Sequence, residues 1–141
     1  MFVFTCNGGA VSWKSYKQSI TVDSTLEAEY IATSDAAKKA VWIWKFVTEL
    51  EVVPCIESAV LIFCDNNGAI ALAKEPRSHK KSKHIERRYH IIRELVGKGD
   101  VLVQKVASAD NVADPLTKAL TQLQLDWYLK KIGPIYCSKW C

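Results

Sequence analysis

Ser58-Ala59-Val60-Leu61-Ile62-Phe63-Cys64, followed at once by Asp65-Asn66-Asn67-Gly68, decides the fold of this 141-residue chain. An unbroken apolar run stopped by turn-forming residues reads as a strand buried on both faces, the kind found in sheets whose strands are joined by helices. Asp65 then stands at the carboxyl end of that strand, the rim at which open α/β sheets bind their ligands.

Outward from this strand the pattern continues in both directions. Downstream, residues 69–74 read as a short helix closed by Glu75-Pro76. A basic loop then leads into a long helix over about 82–96, with the stripe Ile85, Tyr89, Ile92 and Val96, ended by Gly97 and Gly99. Residues 101–106 read as a further strand, and Asn111 opens a final helix. Upstream, Ser24 followed three residues later by Glu27 makes a capping box, predicting a long helix to about Leu50. Leu26, Tyr30, Thr33, Ala37, Val41 and Trp44 form its apolar stripe. Phe2-Val3-Phe4-Thr5-Cys6 and Ala10-Val11-Ser12-Trp13-Lys14, separated by Asn7-Gly8-Gly9, read as a β-hairpin. The order strand, strand, helix, strand, helix, helix, strand, helix specifies an α/β fold with a mixed sheet, its later strands parallel because helices connect them.

Composition narrows the classes. A chain of this length with 49% hydrophobic residues builds one core, assigned to residues 1–120, and leaves 121–141 as a tail of mixed character. No run of about 18 apolar residues occurs, and the first residues lack the charged start of a secretion signal, so an intracellular chain, cytoplasmic or nuclear and without a membrane partner, is expected. Five scattered cysteines fit neither a disulfide framework nor a zinc finger, and reduced thiols are expected. Charge is uneven. Between residues 74 and 93 eight Lys or Arg face two Glu, so this segment carries +6 of a net +4 and the remainder is −2. Such a concentration points to an anionic polymer as partner.

Three carboxylates are candidates for chemistry. Glu29 borders the apolar stripe of the long helix, whereas Glu27 is occupied at the cap; the plain alternative is a boundary charge whose stem covers the core. Asp65 ends the buried strand, or serves only as a turn aspartate bonded to its own backbone. Asp114, directly before Pro115, sits where a helix dipole favours a negative charge, which capping alone explains. Their combination on an α/β sheet lifts all three above those alternatives.

Five motifs then carry a family resemblance: Gly8-Gly9-Ala10-Val11-Ser12-Trp13-Lys14-Ser15-Tyr16-Lys17-Gln18; Ser24-Thr25-Leu26-Glu27-Ala28-Glu29-Tyr30; Cys64-Asp65-Asn66-Asn67-Gly68-Ala69-Ile70-Ala71; Ser82-Lys83-His84-Ile85-Glu86-Arg87-Arg88-Tyr89-His90; and Asn111-Val112-Ala113-Asp114-Pro115-Leu116-Thr117-Lys118. Together, over roughly residues 2–120, they resemble the ribonuclease H domain of copia-type retrotransposon Pol polyproteins. The resemblance implies a ribonuclease H-like fold that cleaves the RNA strand of an RNA–DNA hybrid during reverse transcription, beside the reverse transcriptase portion of the same polyprotein. It implies two Mg²⁺ (or Mn²⁺) ions, about 3.5–4 Å apart, held by hard oxygen ligands. Glu29, Asp65 and Asp114 match the family's metal-binding, catalytic carboxylates. Lys83, His84, Arg87 and Arg88 match its basic helix, which grips phosphates without reading sequence.

One element of the family pattern has no counterpart. The family's first metal-binding aspartate lies on a central strand ahead of the hairpin, and this sequence starts at the hairpin. A competing register places Cys6 where that aspartate belongs; the continuation Gly9-Ala10-Val11-Ser12-Trp13 favours the hairpin register. Either way the sequence reads as a truncated ribonuclease H-like domain lacking its first carboxylate, weak or inactive by itself. The alternatives are a catalytically dead nucleic-acid-binding remnant and a structural relic with no partner. Loss of the central strand is expected to expose two unpaired edges within one sheet, so that either the hairpin slides over to pair with residues 60–64 or the fold depends on missing neighbouring sequence.

Overall fold

The computed structural model describes residues 1–6, 8–16, 24–51, 59–75, 89–116 and 118–133. These fall into two compact units, Gln18–Ala109, and Met1–Lys17 with Asp110–Cys141. The architecture is mixed α/β, and its element order is consistent with a ribonuclease H-like fold lacking a strand.

In the first of these units, Ser24 caps a 25-residue helix, α1 (Thr25–Glu49), its Oγ accepting from the Glu27 N–H at 3.2 Å. Strand β3 (Val60–Cys64) is followed by α2 (Asn67–Lys74), whose cap is Asn66, Oδ1 accepting from the Ala69 N–H at 3.1 Å. Helix α3 (Ile91–Lys98) ends on Gly99, which takes φ +82° and so supplies the left-handed stop that other residues resist. The predicted 82–96 helix is corrected at its described start, where Tyr89 lies in a 3₁₀ turn and His90 is the cap of α3; residues 82–88 lie outside the described residues. Strand β4 (Val101–Lys105) pairs with β3 in parallel, Val60 opposite Val101 and Cys64 opposite Lys105. The predicted parallel connection through helices is therefore present.

The core of this unit lies between the β3–β4 pair and the helices. Tyr30, Ile31, Ala37 and Ala40 of α1 are buried, with Ile62 and Cys64 of β3, Ile70 and Leu72 of α2, Ile92 of α3, and Val101 and Val103 of β4. The expectation that β3 is buried on both faces is corrected here. Its residues alternate, and Leu61 and Phe63 are 48% and 58% exposed, next to Leu102 at 42%. Burial follows the two-residue period of a strand because Ile62 and Cys64 share the face on which α1 and α2 pack.

The other unit opens with the hairpin, β1 (Phe2–Cys6) antiparallel to β2 (Gly9–Lys14), with a register shift between Phe4 and Thr5. Gly8 takes φ +80° in the turn. The described strands make two separate two-stranded sheets, β1–β2 and β3–β4. The final helix also departs from expectation. It opens not at Asn111 but at Thr121, as α4 (Gln122–Ile132). Asn111 instead turns its side chain back, Oδ1 accepting from the Ala113 N–H at 3.1 Å, and a single 3₁₀ turn follows over Asp114–Leu116. The stronger signal was Thr121 with Gln124 three residues on, a complete capping box in which each side chain serves the other's backbone N–H. Gly133 ends α4 at φ +79°, a Cβ there falling 3.0 Å from Gly9 Cα, so a side chain at this position would run into the backbone of the hairpin turn.

Candidate metal centre

The cap at Ser24 sets the phase of α1, placing Glu29 in its second turn next to the fully buried Tyr30. One turn later Thr33, also buried, donates its hydroxyl to the Glu29 carbonyl at 2.7 Å and lies 3.7 Å from Cys64 Sγ. That side chain ties the helix to the end of β3. Beyond Cys64 the backbone turns into the Asn66 cap, and the Cys64 thiol reaches the Asn66 carbonyl at 3.8 Å. Asp65 is caught between strand and cap, half-buried, and its carbonyl accepts from Lys105 Nζ at the end of the neighbouring strand.

The outcome is a cluster of three potential donors from two elements. The carboxylates of Glu29 and Asp65 and the thiol of Cys64 each offer a ligand atom, all within 4.8 Å of one another. Two of the three carboxylates singled out in the sequence therefore meet. Asp114 belongs to the other compact unit, where Oδ2 pairs with Lys118 Nζ at 2.6 Å. Lys83, His84, Arg87 and Arg88 lie outside the described residues. Sequence reasoning missed Cys64 as a member of the cluster. The signal was available: in a strand Cys64 shares a face with Ile62, so once that face meets α1 the thiol must point at the helix carrying Glu29.

The donor set fits one hard divalent ion. Mg²⁺ is commonly held by one or two carboxylates, with water and substrate phosphate oxygens completing its shell. Glu29 and Asp65, reaching from different elements, supply that pair. Cys64 adds a soft donor that Mg²⁺ does not seek.

A set of buried and partly buried polar contacts joins α1, α2 and the start of α3. The Tyr30 hydroxyl and His90 Nδ1 share a hydrogen bond of 3.0 Å, and Ser34 Oγ donates to the Tyr89 carbonyl at 2.7 Å. Arg93 Nε donates to the Leu72 carbonyl at 2.8 Å, its guanidinium 5.7 Å from the centre of the Tyr30 ring. Burial raises the Tyr30 hydroxyl above its ordinary pKa of 10.0, with the positive charge of Arg93 acting in the opposite direction. Cys6 and Cys64 are both free thiols, Cys6 exposed and Cys64 buried. No helix among the described residues is long and apolar enough to cross a membrane.

Comparison with known proteins gives this arrangement its context. Over 132 residues, 94% of its length, the chain is 36% identical to the retrovirus-related Pol polyprotein from transposon TNT 1-94 of Nicotiana tabacum. It is 37% identical over 131 residues to the Pol polyprotein from transposon RE2 of Arabidopsis thaliana. The chain is a homologue of plant retrotransposon Pol polyproteins. This Pol homologue corresponds to 10% and 9% of those two proteins, so it matches one segment of much longer chains. The likeness extends to yeast, at 29% identity over 119 residues of the Ty1-NL2 Gag-Pol polyprotein. No family model matches the Pol homologue, and no solved structure does.

Proposed function

We propose that this Pol homologue is the ribonuclease H segment of a retrotransposon polyprotein, directed at the RNA strand of an RNA–DNA hybrid. The observation that carries the reading is the meeting of Glu29 and Asp65 at the carboxyl end of β3, brought together by the Ser24 cap and the Thr33 link. Glu29 and Asp65 would hold a divalent ion from two sides, and Asp114 is proposed as the third carboxylate of the same centre. When bound, Mg²⁺ or Mn²⁺ supplies charge neutralisation at a phosphate and a more acidic water. Lys83, His84, Arg87 and Arg88 would hold backbone phosphates, an interaction weakened by salt and indifferent to base sequence.

The carboxylate that the family carries ahead of its hairpin has no counterpart within these 141 residues. The polypeptide by itself should therefore retain a labelled RNA–DNA hybrid at low salt and cut it negligibly in Mg²⁺ or Mn²⁺. Joining to Phe2 the corresponding upstream segment of the tobacco relative should restore cutting, and Asp65→Asn in that fusion should abolish it. Cleavage that survives Asp65→Asn, in either form, would overturn the site. Failure of both forms to retain hybrid at low salt would overturn the substrate.

A further inference from the structure

The thiol of Cys64 is the feature that a centre for hard ions does not use. Its residue is only 4% exposed, and its sulfur is met by two long contacts, Thr33 Oγ1 at 3.7 Å and the Asn66 carbonyl at 3.8 Å. It shares its corner with two carboxylates that come from α1 and from the end of β3, all three donor atoms within 4.8 Å. A thiolate flanked by two carboxylates is a different ligand set from a pair of carboxylates alone. Sulfur favours borderline and soft cations such as Zn²⁺ and Cd²⁺, and three protein ligands with one open position is a familiar Zn²⁺ arrangement.

We infer that Glu29, Cys64 and Asp65 together form a site for a thiophilic divalent cation, bound through the Cys64 sulfur and one oxygen from each carboxylate. Geometry permits it with little movement. With Zn–S near 2.3 Å and Zn–O near 2.1 Å, donors on one tetrahedral ion stand about 3.3–3.7 Å apart. Drawing the two carboxylate arms inward by about 1 Å closes the set, while Cys64 stays anchored in the strand. Binding requires the thiol to give up its proton, which passes to the buffer, so uptake of each ion releases about one proton. The two carboxylates offset the charge of the ion, and the ammonium of Lys105, seated on the Asp65 carbonyl, works against it.

The inference shares Glu29 and Asp65 with the ribonuclease H reading but does not rest on it, because it requires neither Asp114 nor a nucleic acid. A thiophilic ion seated here would occupy the place proposed for Mg²⁺ and exclude it.

The test uses Cd²⁺ alone on the full chain, with Cys6, Cys55, Cys137 and Cys141 changed to Ser so that Cys64 is the sole thiol. One equivalent should bind with the ultraviolet charge-transfer band of a cadmium thiolate and the release of about one proton. Cys64→Ser should remove the band. Glu29→Gln and Asp65→Asn, each checked for native circular dichroism, should each weaken binding by about ten-fold or more. Absence of the band at one equivalent overturns the inference. So does a band whose affinity is unchanged in the Glu29→Gln/Asp65→Asn double variant, which would mean an isolated thiol capturing Cd²⁺. If Cd²⁺ binding depends on all three residues while the fusion described above fails to cut hybrid, the nuclease reading falls and this site stands; the reverse pattern removes only this site.

Discussion

Gly68, the second residue of α2, lies against Leu26 in the first turn of α1: a Cβ at position 68 would stand 3.1 Å from Leu26 Cγ and nearer still to Cδ1. The missing side chain lets the starts of the two helices close on each other. Since Glu29 follows Leu26 by one turn and Asp65 precedes the α2 cap, this contact holds the two carboxylates side by side.

Gly68→Ala should therefore lower stability by about 1 kcal/mol, a packing cost of about 1–3 kcal/mol exceeding the helix propensity that alanine adds. In a Leu26→Ala background the clash with Leu26 disappears and only the 3.3 Å approach to Asn66 Oδ1 remains, so the cost of the same change should shrink toward zero or reverse by up to about 1 kcal/mol. Urea denaturation of the four proteins forms a double-mutant cycle. A cycle with no coupling would remove the Leu26–Gly68 contact from the account.

Tyr30 gives a prediction in pH. Its ring is fully buried, and burial raises its hydroxyl above 10.0 against the opposing charge of Arg93. The folded state thus holds the phenolic proton more tightly than the unfolded chain. That contribution is intact below pH 10 and is lost as pH rises through the folded value. Stability of the wild type should fall above pH 10 more steeply than that of Tyr30→Phe. Near pH 7 the variant should be less stable by about 1 kcal/mol, because the bond to His90 is gone. Parallel curves above pH 10 would contradict a buried, proton-holding tyrosine.

Much of this arrangement could be read in the residues, for identifiable reasons. Ser24 with Glu27 and Gly99 after α3 act through local backbone chemistry, and each fixes an element end where expected, whereas the Asn66 cap starts α2 at Asn67, two residues ahead of the expected start. The meeting of Glu29 with Asp65 was legible because Glu29 borders the stripe that α1 turns to the core and Asp65 ends the strand packed there, at the rim where open α/β sheets gather ligand-binding groups. Two-sided burial of β3 was not, because an apolar run records what the residues tolerate and not what covers them; Leu61 and Phe63 are exposed despite it. Asn111 misled for a different reason. Its side chain satisfies the Ala113 N–H in a local turn as readily as it would cap a helix, and Thr121 with Gln124 made the stronger helix start.

Asp114 separates capping from chemistry. Its pair with Lys118 leaves the lysine side chain 62% exposed, so breaking it by Lys118→Ala should change stability by less than about 1 kcal/mol. In the fusion carrying the upstream strand, Lys118→Ala should cut hybrid normally, whereas Asp114→Asn should lose about 100-fold or more. Equal activity of the two variants would reduce Asp114 to a surface partner of Lys118.

The basic segment makes the last prediction, and salt decides it. If Arg87 and Arg88 hold phosphates, each contact displaces condensed cations from the nucleic acid, and log affinity falls linearly with log salt. Reversing both charges, Arg87→Glu with Arg88→Glu, should weaken hybrid binding at low salt by about ten-fold or more and flatten that slope by about 2, one for each lost contact. The Asp65→Asn variant should leave the slope unchanged, because it alters the centre and not the grip. Filter binding of a labelled hybrid at several salt concentrations measures both. An unchanged slope in the doubly reversed variant would assign the positive charge of this segment to solvation and move the phosphate contacts elsewhere.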